Sequence, residues 1–309
     1  MVFDKTEMMS SYCKYVHFTI KINNRYNLPE KFAYLSMKSK ITEGDTTLLF
    51  KAKILNRYVI KYYRCNETGF IQTEEPHWLS EAYSSAITKL DVGLPYRNII
   101  LSDTIGRELV KDFDYKSTFL DYAGGYGLFT RLMRDKGFNF YNTDKFCQNL
   151  FAEYFDLSDL PPDTSFEAVT AFEVFEHLTN PMEEIREMLR FSDNLFFTTE
   201  LQPPNLNDVE DWDYFSTETG QHVSFYNTES LNYIAAKLGY NFYSDGTFIH
   251  LFTKKVFKGN PLIQRRDGFL LRKAKKLVKK AESKALGNME SRLMTDWKYI
   301  KDKLNVNRS

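Results

Sequence analysis

The sequence predicts an α/β fold: a mostly parallel, seven-stranded sheet covered by helices on both faces, preceded by a small β-rich and helical subdomain and followed by a helical tail. Three observations carry this. Between Phe119 and Thr253 short apolar strand patterns alternate with helical ones, and such alternation means βαβ crossovers and therefore parallel strands. The stretch Thr118 to Arg131, TFLDYAGGYGLFTR, sets an apolar pair, an aspartate and a cluster of glycines directly before a helical pattern. That is the order of strand, tight turn and helix N-terminus, where glycine lets the backbone turn sharply and pass close to a ligand. Finally, 309 residues that are 43% apolar and 16% aromatic are ample for a packed core.

In chain order, residues 1–75 read as the β-rich subdomain, with strand patterns at Tyr15 to Ile20, Leu48 to Phe50 and Tyr58 to Tyr63. Residues 76–116 are a helical lead-in: Pro76 opens PHWLSEAYSSAITKL, in which Trp78, Ala82, Ser85-Ala86 and Leu90 share a face, and a second helix runs from about Arg97 to Val110. Residues 117–256 form the main α/β domain. Its strands are Phe119-Leu120, Phe138 to Thr143, one ending near Asp156, Ala168 to Phe172, Asn194 to Thr199, and a terminal hairpin of Tyr240 to Tyr243 with Phe248 to Thr253. Helices are expected at Leu128 to Asp135, Gln148 to Tyr154, Met182 to Leu189 and Thr228 to Leu238. Residues 262–309 are the tail, where Leu270, Ala274, Leu277-Val278, Ala281 and Ala285 recur at helical spacing between lysines and arginines.

Composition excludes several classes. Three cysteines, Cys13, Cys65 and Cys147, are too few and too far apart for a disulfide framework or a complete zinc set, which favours a reducing compartment. There is no apolar run long enough for a bilayer and no secretory leader pattern in MVFDKTEMMSSYCKY, so a cytoplasmic location is expected. Net charge is zero, yet Leu262 to Ser309 holds 14 Lys and Arg against 5 Asp and Glu. Such a tail suits a solvated helix packing on the body, or contact with an anionic membrane surface or acidic glycan. Nucleic-acid binding is not expected, because the body is acidic and carries no recognition motif.

The glycine spacing narrows the ligand. A dinucleotide fingerprint needs G-x-G-x-x-G, whereas Gly125 and Gly127 are followed by Thr130 where the third glycine belongs. A carboxylate beside close-approach glycines suits a cationic sulfonium better than a pyrophosphate. The segment resembles motif I of class I S-adenosylmethionine (SAM) methyltransferases, D/E-x-G-x-G-x-G, with Asp121, Ala123, Gly125 and Gly127 in register and alanine replacing the first glycine. The resemblance implies that Asp144, after the second strand, accepts hydrogen bonds from the ribose hydroxyls. Asp156 is placed facing the adenine amino group, with Glu153 and Asp159 as competitors, and Phe146 stacks on adenine or belongs to the core.

The second informative run is Ala168 to Pro181, AVTAFEVFEHLTNP. Alone, E-x-x-E-H after a strand is a candidate metal site. It lacks an i, i+4 histidine pair and a partner cysteine, so no metal is assigned. Beside motif I it resembles motif IV of the same methyltransferases. Together with Glu81-Ala82-Tyr83, Asp91 to Leu94, Arg97-Asn98 and Gly220 to Tyr226, the chain resembles bacterial glycan- and sugar-cluster methyltransferases of the Methyltransf_23 type. That implies a Rossmann-like class I methyltransferase fold, SAM as cofactor, and methylation of O, N or C on a small-molecule or glycan-related acceptor. The runner-up is a catalytically inactive member serving as a binding module in a glycan-assembly complex. Relatives carry a zinc-binding N-terminal subdomain with two C-x-x-C pairs; here Cys65 stands alone, so the subdomain is expected to persist without metal. For an acceptor hydroxyl a base is required, and His177 and His222 are the candidates, with Glu176 or Glu173 orienting His177. Glu173 is also placed on the cofactor wall. Trp212, Tyr214 and Tyr226 form an aromatic cluster suited to stacking a sugar or to packing a lid.

Overall fold

The computed structural model describes residues 37–84, 88, 90–205, 212–263 and 289–306. The strand expected at Tyr15 to Ile20, Cys13, Ser85-Ala86 and the apolar stripe from Leu270 to Ala285 lie outside the described residues.

A small antiparallel sheet comes first. Strand β1 (Thr46–Ile54) turns through Leu55, Asn56 and Arg57 into β2 (Tyr58–Cys65), with Leu55 and Asn56 left-handed at φ 50° and 54° and Arg57 N donating to the Ile54 carbonyl. Beside β2 lies β3 (Ile71–Thr73). Ile54, Ile60, Tyr62 and Ile71 are buried together with Trp78, whose indole N–H donates to the Gly220 carbonyl at 2.8 Å. Ser39 and Thr42 face Cys65 and Thr68 where the loop before β1 meets the end of β2. Burial alone would raise the Cys65 thiol; the hydroxyls of Ser39, Thr42 and Thr68 outweigh it and bring the pKa down to about 7.

The lead-in supplies a four-residue turn of helix, α1 (Leu79–Ala82), and the long α2 (Leu94–Asp112), with Pro95 in its first turn. The main sheet follows: β4 (Thr118–Tyr122), α3 (Leu128–Asp135), β5 (Asn139–Thr143), β6 (Ala168–Ala171), α4 (Pro181–Met188) and β7 (Asn194–Thr198). Next come β8 (Ser224–Phe225), α5 (Thr228–Leu238), β9 (Asn241–Ser244) and β10 (Ile249–Thr253), and last α6 (Leu293–Val306). The strand order is β5-β4-β6-β7-β10-β9, the first four parallel and the last two antiparallel. Strand β8 joins β3 of the small sheet, so the N-terminal unit borrows a strand from the far end of the main domain.

Period-two alternation sorts the two faces. Phe119, Phe140, Ala168, Phe196 and Leu251 pack with α2 and α3; Leu120, Val169, Ala171, Leu195 and Phe197 pack with α4 and α5. Among the described residues the main sheet has six strands rather than seven. The segment expected to form the other edge strand contributes a single bridge, Asn142 to Asp156. Asp156 instead caps the turn Leu157–Asp159, its side chain bonding the third residue while Asp159 bonds back. The helix expected at Gln148 to Tyr154 is absent for a related reason: Asn149 accepts from Ala152 N at 2.9 Å and donates to Ala152 O at 2.7 Å, tying the backbone into a local turn that competes with helix.

Helix α6 is pinned by Asp296, which is 2% exposed and accepts from Arg134 at 2.7 and 2.8 Å and from Arg131 at 3.0 Å. No helix among the described residues is long and apolar enough to cross a membrane.

Candidate active site

A cavity of ≈ 830 Å³ opens at the carboxyl ends of β4, β5 and β6, beneath α2 and the 213–222 loop. Ligands of open α/β sheets bind at this end of the strands. Its floor is the β4–α3 loop. Asp121, next to last in β4, is 1% exposed and accepts from Thr170 Oγ1 at 2.7 Å and Thr130 Oγ1 at 3.3 Å. Burial pushes its carboxyl up to about 7 against the pull of those two hydroxyls. Ala123 keeps the turn at φ 55°, a left-handed conformation in which its methyl costs about 1 kcal/mol relative to glycine. Gly124 is required for another reason. A Cβ there would lie 2.1 Å from Asn142 Oδ1 and 2.3 Å from Asp121 Oδ2. Gly124→Ala is therefore expected to displace the Asp121 carboxyl, lowering stability by about 1–3 kcal/mol, as overpacking does, and weakening the binding of any ligand that fills the cavity. Thermal unfolding with and without ligand checks this, and an unchanged protein would contradict it.

Asp144 stands at the end of β5. Its carboxylate accepts from Gly125 N at 2.9 Å, Phe146 N at 2.7 Å and Cys147 N at 2.8 Å. A carboxylate offers about four lone-pair sites, so capacity remains for a hydroxyl from the cavity. The Phe146 ring, 74% exposed, stacks on Tyr83 with centroids 5.7 Å apart and planes 17° apart.

The opposite corner comes from the segment after β6. Glu173 sits at φ 55°, strained for a non-glycine residue. Thr198 holds it from both sides, accepting from Glu173 N at 2.8 Å and donating to Glu173 Oε1 at 2.9 Å. Its other oxygen lies 3.4 Å from Arg97, which also pairs with Asp91 at 2.8 Å. Glu176 is fully buried, and neither carboxyl oxygen makes a well-formed hydrogen bond among the described residues. Burial raises Glu173 and Glu176 to about 7, Glu173 also by the neighbouring Glu176 charge; the Tyr214 and Thr199 hydroxyls act on Glu176 in the opposite sense.

Two histidines complete the corner, their rings 4.9 Å apart at 81°. His177 Nδ1 lies 3.1 Å from the Gln221 carbonyl and 3.0 Å from the Tyr83 hydroxyl; His222 Nδ1 meets the Tyr214 carbonyl. A carbonyl only accepts, so each Nδ1 carries the hydrogen and each Nε2 keeps a lone pair. Burial lowers both pKa values, that of His222 to about 3 with the help of His177, so both rings are neutral at pH 7.

Of the residues the sequence singled out, Asp121, Ala123, Gly125, Asp144, Phe146, Glu173, Glu176, His177, Tyr214 and His222 line this one cavity. Four others do not. Gly127 is the left-handed cap of α3 at φ 78°, its missing Cβ making room for Asn149. Asp156 caps its own turn and bonds Asn149. Tyr226 is fully buried, packed on Phe70 and Phe175, and donates to the Phe175 carbonyl. Trp212 donates to Glu200 and packs on Phe215 and Phe225 of the small-sheet core. Sequence reasoning assigned no site role to Tyr83, Arg97, Thr198 or Gln221, whose signal lies in contacts distant along the chain.

Residues 96–244, just under half of the chain, match the family model described as a methyltransferase domain. The mostly parallel sheet with helices on both faces fits an α/β, Rossmann-like methyltransferase fold. Among solved structures, this methyltransferase fold is similar to magnesium protoporphyrin IX methyltransferase from Synechocystis with bound S-adenosylhomocysteine (SAH), at 13% identity over 57% of this chain and 93% of that one, TM-score 0.40. It is also similar to the plantazolicin methyltransferase BpumL, at 9% identity over 58% and 93% of the two chains, TM-score 0.43. No curated protein sequence matches the chain.

Proposed function

We propose that the chain is a SAM-dependent methyltransferase acting on a small-molecule or glycan-related acceptor, with a hydroxyl as the methylated group. The observation that carries this reading is a single cavity in which the β4–α3 loop and Asp144 face the corner of Glu176, His177 and His222.

The residues present fit the cofactor. The cavity's ≈ 830 Å³ lies in the upper part of the range of about 300–1,000 Å³ typical of ligand sites, enough for a nucleoside cofactor and a small acceptor. Asp144 retains acceptor capacity for ribose hydroxyls, the exposed Phe146 ring offers a face for a base, and the backbone from Ala123 to Tyr126 forms the cradle. The acidic wall of Asp121, Asp144 and Glu173 suits a cationic ligand. Bound there, SAM supplies an electrophilic methyl group on a sulfonium.

The chain's own residues do the rest. Tyr83 and Tyr214 give the acceptor aromatic surfaces at the mouth and exclude water. His177 and His222 present Nε2 lone pairs rather than hydrogens, so an acceptor hydroxyl that reaches this corner donates to it, and its oxygen becomes the better nucleophile. Positioning contributes as much as proton removal, because the reaction is a displacement that needs the oxygen about 3 Å from carbon and in line.

The test is transfer of labelled methyl from SAM to a panel of nucleotide sugars and hydroxylated small molecules. Label on at least one acceptor is expected. SAH binding without transfer to any acceptor would favour the inactive binding module.

A further inference from the structure

The Glu176, His177 and His222 corner holds more than a base. One donor atom from each of the three side chains lies within 4.8 Å of the other two. Both Glu176 oxygens are buried and without a well-formed hydrogen bond among the described residues, although a buried carboxylate needs a partner. Arg97, the guanidinium on this wall, is engaged by Asp91 and Glu173. The two imidazoles are set as ligating histidines are, with Nδ1–H on a backbone carbonyl and Nε2 without a hydrogen bond among the described residues.

We propose that Glu176, His177 and His222 bind a divalent transition-metal ion, of the Zn²⁺, Co²⁺ or Mn²⁺ kind, whose open positions take two neighbouring oxygens of the acceptor. The role of the ion rests on the methyltransferase reading; the site itself does not. Two nitrogens and a carboxylate suit borderline divalent ions, whereas Mg²⁺ and Ca²⁺ prefer oxygen. Three protein ligands leave the remaining positions open toward the cavity, as in catalytic sites. The acceptor class that fits is a chelating diol or catechol. With the ion bound, the Nε2 lone pairs of His177 and His222 are engaged as ligands and no longer take the proton; the metal-bound hydroxyl loses it to water instead, since the ion stabilises the alkoxide or phenolate. That oxygen forms a bond to the methyl carbon as the carbon–sulfur bond breaks, the electron pair stays on sulfur, and the sulfonium becomes a neutral thioether. The oxygen, now an ether, is a poorer ligand and the product leaves.

The E-x-x-E-H run alone places two of these ligands; the third arrives from the loop before β8, 45 residues on. The test uses the full chain, stripped with chelator and titrated with Co²⁺, read by visible absorption and by calorimetry. One equivalent is expected to bind with a d–d band, and catechol is expected to shift that band. Glu176→Gln and His222→Ala are expected to weaken binding by about 100-fold, at or beyond the upper end of losses from supporting residues. His77→Ala, an exposed histidine away from the cavity, is expected to bind as the parent does. Circular dichroism checks the fold of each variant, with His222→Gln in reserve should His222→Ala not fold. Absence of the band, or Glu176→Gln and His222→Ala binding like the parent, would overturn the site, and a band indifferent to catechol would overturn its acceptor role. SAH binding on the same samples separates the two readings: loss of Co²⁺ with SAH retained in the variants supports the site, whereas a parent that binds Co²⁺ but not SAH sinks the cofactor reading and leaves the site standing.

Discussion

His222→Ala is expected to lower methyl transfer by about 10²–10⁴-fold, the range for a proton-handling group, while SAH affinity is retained. The split follows from where the residue comes from. His222 is carried by the loop leading into β8, whereas the cradle and Asp144 belong to β4, β5 and their following loops. Its ring is fixed by the Tyr214 carbonyl and faces His177 at 4.9 Å. Removing it takes away a lone pair at the acceptor corner and leaves the cofactor contacts in place. Steady-state kinetics with calorimetry on the same sample checks this. A fall of less than about threefold, or a parallel loss of SAH binding, would contradict the assignment.

The largest stability effect is expected at Asp296. The Arg134–Asp296 pair is weak evidence for stability as it stands, because desolvation offsets the attraction, but truncating one partner leaves buried charge behind. Arg134, 1% exposed, also donates to the Phe140 carbonyl and lies 3.5 Å over the Phe155 ring, so it has little freedom to reach water. Asp296→Ala is expected to cost about 3–5 kcal/mol, read as a fall of roughly 5–10 °C in Tm and as faster proteolysis near α6. A melting temperature within one degree of the parent would contradict this account of how α6 docks.

What was legible in the sequence was what is local. The Asp121 to Gly127 turn announces itself because strand, glycines and helix are contiguous, and Glu176-His177 because the pair follows a buried strand directly. The meeting of His177 with His222, and of Tyr83 with both His177 and Phe146, depends on chain distant in sequence and has no local signature. Three residues lie outside the cavity because one residue type serves two ends equally well. Asp156 is as good a turn cap as a ligand contact, Tyr226 as good a core residue with a satisfied hydroxyl as a stacking platform, and Trp212 likewise. The helix expected at Gln148 to Tyr154 failed because Asn149 bonds the backbone itself, a competition that apolar periodicity does not report.

The central claim is that this cavity binds SAM with Asp144 as an anchor, and calorimetry with SAH tests it most directly. The parent chain is expected to bind one equivalent. Asp144→Ala, which removes a charged acceptor, is expected to lose about 1.5–3 kcal/mol, roughly 10- to 150-fold in Kd. No binding by the parent, or equal affinity in Asp144→Ala, would contradict the account.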